Sequence, residues 1–175
     1  RVLACDVIVV SKSHIDMTRR SASGETGALS VRDAYTGYSL TFPLTRTNKD
    51  KVKECLKWFV GVGYSKKPNL IVKSDCADNL INAIKELGFH PDPSLPNRFP
   101  HNTHLERSVV GTKSTQRAVV AQAGTPLNSW GMCLWYASIA LNITQKAPLQ
   151  DYMKDVDGKP LPEFEERAQM TSWEA

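Results

Sequence analysis

The chain has 175 residues, 41% of them hydrophobic and 23% charged, with a net charge of +4. That length allows one domain with a full core, the composition is that of a globular protein, and the mild positive charge is compatible with a polyanionic partner. No apolar run approaches the about 18 residues of a membrane-spanning helix, and Cys5, Cys55, Cys76 and Cys133 contain no Cys-x-x-Cys pair. This argues against a disulfide framework or zinc site and predicts buried free thiols in a reducing, intracellular compartment.

Val2–Val10 is rich in β-branched residues and reads as a central strand, with Asp6 on the same side as Ala4, Ile8 and Val10. A carboxylate there is costly unless it is paired, satisfied by backbone donors or bound to a cation. His14–Gly27, with Arg19 and Arg20, reads as a solvated loop. Ala28–Ala34 and Tyr38–Leu44 form a hairpin turned at Thr36-Gly37, completing three antiparallel strands, and Asp33 before the turn is expected to be structural.

Thr47–Val60 is predicted to be a helix capped by Thr47 or Asn48. Val52, Cys55, Leu56, Phe59 and Val60 form its apolar face, and Gly61 and Gly63 end it. Tyr64–Pro68 is a basic linker. Leu70–Lys73 is a short buried strand, expected parallel to the first and ending at Asp75, where open α/β sheets place their sites. Asp75 also suits a turn or helix cap. Asn79–Leu87 is a helix closed by Gly88, and Phe89–Pro91 a short last strand. Pro91, Pro93, Pro96 and Pro100 make Ser94–Asn102 a loop.

Thr103–Ala123 is a long helix ended by Gly124 and Pro126, on which Glu106, Val110, Lys113 and Arg117 share one stripe. Thr103-x-x-Glu106 also fits a capping box. Leu127–Ile143 is the last helix, with Trp130, Cys133, Ala137, Ala140 and Leu141 inward. Trp130, Trp135 and Tyr136 read as core or subunit contact. The sequon Asn142-Ile-Thr144 is expected to be unused. Beyond residue 145 the sequence turns to Pro, Asp, Glu and Lys. Residues 1–145 are therefore read as one α/β domain and 146–175 as an extended tail leading to a further domain. The opening residues lack a signal-peptide pattern and enter a strand at once, which predicts a domain cut from a longer chain.

Three acids, Asp6, Asp75 and Glu106, stand at the centre or ends of core elements, a pattern that suggests a metal site. The element order, three antiparallel strands followed by parallel ones in a five-stranded mixed sheet flanked by helices, resembles the RNase H-like fold. The residues are most similar to its integrase branch, the catalytic cores of retroviral and retrotransposon integrases with their three-acid DDE motif. Asp33-Ala-Tyr-Thr-Gly-Tyr38, Val72-Lys-Ser-Asp75 with Asn79, Asn102-Thr-His-Leu-Glu-Arg107, and Gln122-Ala-Gly-Thr-Pro126 with Trp130 each resemble an integrase segment. Ala77 and Thr103 stand where the family has glycine, and the Asp75–Glu106 interval is somewhat short.

The resemblance implies a polynucleotidyl transferase that trims an element's 3′ end with water and joins the resulting hydroxyl to target DNA. It implies two Mg²⁺ or Mn²⁺ ions held by Asp6, Asp75 and Glu106, since hard cations take carboxylate oxygens. Lys113, Asn79, Arg107 and Arg117 match or neighbour positions that contact DNA. Element-end and target DNA are the implied partners, with assembly as a homo-oligomer in the nucleus or an element particle. Two alternatives are a decayed copy that binds nucleic acid without cutting it and a ribonuclease H. The latter needs an acid on the first helix, where Glu54 is the candidate.

Overall fold

The structure, a computed structural model, describes residues 1–9, 20–61, 63, 69–94 and 103–145; within these the side chains of Val9, Thr103 and His104 are left undescribed. Arg19, the 64–68 linker, most of the Pro-rich loop with Asn102, the Thr103 capping contact and the 146–175 tail lie outside what is described.

Five strands, β1 (Val2–Val9), β2 (Gly27–Asp33), β3 (Ser39–Leu44), β4 (Ile71–Ser74) and β5 (His90–Pro93), form one sheet in the order β3-β2-β1-β4-β5. β1 pairs antiparallel with β2 and parallel with β4, and β4 pairs parallel with β5. This is the expected topology. β5 is an edge strand, the place in a sheet where Pro91 and Pro93 cost least because their missing N–H groups are not needed by an outer neighbour.

The period of two along β1 divides the core. Leu3, Cys5 and Val7 pack with α1 (Lys49–Val60) and α2 (Asp78–Glu86). Ala4 and Ile8 pack with Ala28 beneath Leu105 and Val109 of α3 (Thr103–Ala123) and Leu134 of α4 (Trp130–Thr144). Small residues at 4 and 28 let α3 lie close to the sheet. The buried face of α1 is Val52, Cys55, Leu56, Phe59 and Val60, as its 3.6-residue spacing predicts. Asn48 is the cap, its Oδ1 accepting from the Lys51 N–H at 3.0 Å. Gly88, at φ 76°, turns the chain out of α2 into β5.

Asp33 is structural, as expected. It is buried, accepts from the Tyr35 N–H at 2.9 Å and pairs with Arg1. Two expectations need correction. Cys76 is exposed, whereas Cys5, Cys55 and Cys133 are buried; the turn after β4 carries it outside the sheet. On α4, Trp130, Ala140 and Leu141 are only half-buried, and the polar Ser138 and Asn142 are fully buried instead. The reason is the free edge of β3: the Asn142 amide accepts from the Ser39 N–H at 2.9 Å and donates to the Ser39 carbonyl at 2.7 Å. Ser138 Oγ accepts from the Thr41 N–H at 3.3 Å. These side chains serve as the strand neighbour that an edge lacks, and so buried an Asn142 is closed to glycosylation.

Candidate active site

Asp6 lies mid-β1 opposite Ser30 of β2. Its even position turns it toward the face covered by α3. The β1–β4 register runs Val2–Ile71, Leu3–Val72, Ala4–Lys73. Two residues further along that register Asp75 comes beside Asp6, on an adjacent strand path about 4.8 Å away. On this face Ile71, Lys73 and Asp75 are all exposed, because among the described residues the helices cover β1–β3 and leave β4 open. Asp6 is therefore half-buried with an open side toward β4.

The turn carrying Asp75 is tied down. Ser94 donates from both its N–H (2.8 Å) and its Oγ (3.1 Å) to the Ser74 carbonyl. Cys76 Sγ donates to the Ser94 carbonyl at 2.8 Å. Asp75 Oδ1 accepts from the Ala77 N–H at 3.2 Å, so one oxygen serves the turn into α2, whose cap residue Ala77 offers no side-chain acceptor. Glu106 stands one residue after the fully buried Leu105, half-buried at the first turn of α3.

The charges of Asp75 and Glu106 are felt at Asp6. The Asp6 carboxyl is raised above its usual range, first by burial; the Val7 N–H at 2.7 Å opposes the rise, the charges of Asp75 and Glu106 add to it, and Lys113 opposes it. On the other face of β1, the Cys5 thiol is pushed up by burial and then by the charges of Asp6 and Asp75. None of the ion pairs among the described residues neutralises Asp6, Asp75 or Glu106. A half-buried carboxylate with no ion pair, such as Asp6, gains from a nearby cation. The donors are all hard oxygens, which suits Mg²⁺ or Mn²⁺. Among the described residues, however, no group of three or more acidic, His or Cys side chains is arranged so that it could hold a metal ion.

Of the expected DNA contacts, Lys113 acts on Asp6 and is exposed, as are Arg107 and Arg117. Arg117 lies eleven positions after Glu106 on α3, about 16 Å further along the axis. Asn79 is engaged elsewhere: its Nδ2 donates to the Thr47 carbonyl at 3.1 Å, tying α2 to the segment between β3 and α1. Lys73 was missed. It is an exposed cation on the face of the acids, and its position two residues before Asp75 in an alternating strand is the signal that could have found it. Glu54 is exposed on α1 and pairs with Lys51 at 2.7 Å; it is not among the charges that act on Asp6.

No protein-family model matches the chain, and no curated protein matches it in sequence. The crystal structure of the catalytic core domain of BIV integrase is similar in fold, with a TM-score of 0.54 over 82% of this chain and 84% of that one, at 15% sequence identity. The fold is thus RNase H-like, of the kind seen in an integrase catalytic core. Among the described residues, no helix is long and apolar enough to cross a membrane.

Proposed function

We propose that the chain is the catalytic core of an integrase-type polynucleotidyl transferase that acts on DNA with divalent metal ions. The observation that carries this reading is a fold like that of an integrase catalytic core in which the β1–β4 register brings Asp75 beside Asp6, with Glu106 at the start of α3; the charges of Asp75 and Glu106 both act to raise the Asp6 carboxyl. A fold needs no such concentration of unpaired negative charge for its own stability.

Asp6, Asp75 and Glu106 would hold Mg²⁺ or Mn²⁺. Such ions, when bound, draw charge from a scissile phosphodiester and lower the pKa of an attacking water. The chain's own part is positional. Asp6 is fixed by the sheet and the Val7 N–H, Asp75 by the turn stapled to Ser94, and Glu106 by the helix seated on Leu105. The open side at Ile71 and Lys73 leaves room for a nucleic-acid strand. Lys113, Lys73, Arg107 and Arg117 are cations available to backbone phosphates on α3 and β4. The reaction is displacement at phosphorus. Water attacks and frees a 3′ hydroxyl in end trimming; that hydroxyl then attacks a target phosphodiester and displaces the target's own 3′ oxygen in joining. Assembly into a homo-oligomer belongs to the same proposal, with exposed Trp58, Met132 and Tyr136 as apolar surface for it.

The test is strand transfer of a labelled element end into plasmid DNA with Mn²⁺. Activity that vanishes in Asp6→Asn and Glu106→Gln supports the reading. That no group among the described residues is arranged to hold a metal ion favours one second reading, a fold that binds nucleic acid without cutting it. That protein would bind DNA and show neither transfer nor a response to metal. A ribonuclease H reading is disfavoured by the exposed, Lys51-paired Glu54.

A further inference from the structure

We propose a second phosphate-binding subsite, separate from the acids, in the cleft at the open end of the β2–β3 hairpin. Its ligand is the phosphodiester backbone of the DNA held at the acids, so it rests on the proposed function. The cleft has a volume of about 550 Å³ and is lined by Arg20, Gly24, Thr26, Thr45 and Arg46. Two guanidiniums and the Thr45 hydroxyl are donors suited to phosphate oxygens.

The local chain holds these groups together. The Thr26 N–H donates to the Leu44 carbonyl at 2.9 Å, and Thr26 Oγ1 donates to the Thr45 carbonyl at 3.1 Å. Glu25, the acid within the same loop, lines a separate pocket with Phe42 and Trp135 rather than this cleft. One of its carboxylate oxygens is buried without a hydrogen-bond partner, and a Cβ placed on Gly131 would lie 3.2 Å from it. Its charge is thus kept off the wall of the cleft.

Position links the cleft to the acids. Val9 pairs with Gly27 at the end of β1 toward which β4 also runs, so the cleft and Asp75 occupy the same end of the sheet. Arg46 directly precedes Thr47, whose carbonyl binds Asn79 on the helix that follows Asp75. Asn79 therefore ties the residue next to Arg46 to α2.

The test is binding of a short labelled DNA duplex in EDTA over a salt series, for wild type, Arg46→Gln, Arg20→Gln/Arg46→Gln and the distant control Lys85→Gln. The double variant is expected to weaken binding roughly tenfold at low salt and to lower the slope of log K against log salt by about 2, while the control changes neither. Arg46→Gln alone, at an exposed position, is expected to give about half of that slope change and keeps the test valid if the double variant folds poorly. Variants that bind like the control would overturn the subsite. So would loss of only an inorganic-phosphate-induced rise in melting temperature with DNA affinity unchanged, which marks a small-anion site. Metal-induced stabilisation reports on the acids alone and is expected to persist in the double variant, so failure of the subsite and failure of the proposed reaction are distinguishable.

Discussion

The side-chain amide of Asn142 satisfies both backbone groups of Ser39, so the last helix completes the edge of the sheet as a strand would. Both residues are buried, and water cannot replace a lost partner. Asn142→Ala leaves a donor and an acceptor unpaired and is expected to cost about 2–4 kcal/mol. Thermal melting should show a fall of several degrees. A change of under one degree would mean that α4 does not hold that edge.

Asp6 predicts an unusual pH response in metal-free protein. Its carboxyl is raised in the fold by burial and by Asp75 and Glu106, so across the interval between its unfolded and folded values the native state binds more protons. Its unfavourable effect is absent below the unfolded value and fully felt once pH has risen through the folded one. Glu86 acts in the opposite sense, held down to about 2 by Lys49 and Lys53; its stabilisation is present above its unfolded value and is lost as pH falls. The difference between wild type and Asp6→Asn isolates the first effect. The variant should melt higher at pH 7 without metal, and its advantage should shrink as the pH is lowered toward 4. An advantage independent of pH would remove the electrostatic account.

Glu54→Gln should alter neither the metal response nor any cleavage. It removes one exposed pair with Lys51, so stability should stay within about 0.5 kcal/mol of wild type. Loss of hybrid cleavage in this variant would instead point to a ribonuclease H.

Cysteine labelling tests the site's exposure. Cys76, beside Asp75, is exposed while the other three thiols are buried. The Cys5 thiol is pushed up by burial and by the neighbouring acids, and that of Cys55 to about 11, chiefly by burial. One thiol should react quickly with a maleimide in native protein, and its modification should weaken the metal response by crowding Asp75. Rapid labelling of a second cysteine would contradict the described core.

Element types and order were legible because apolar spacing is strong on α1 and β1 and because turn residues such as Gly37, Gly61 and Gly88 punctuate the chain. Asp6 stands out in the sequence because a carboxylate within Val2–Val9 contradicts its surroundings. Asn142 and Ser138 were not, since a polar residue on a helix face reads as solvated until a strand edge is known to lie against it. Cys76 was misjudged because cysteine is most often buried, and one turn residue more or less decides its side. Arg46 gives no local signal, and its place follows from sheet topology; Lys73 is marked only by its spacing of two from Asp75 on a strand.

The central claim is that Asp6, Asp75 and Glu106 form one cation site. The most direct measurement is a titration of Mn²⁺ and Mg²⁺ into the protein, followed by melting temperature, beside Asp6→Asn and Glu106→Gln. The account predicts saturable stabilisation of wild type that is lost in both variants. Unchanged melting of wild type across the titration, or equal stabilisation of all three proteins, would contradict it.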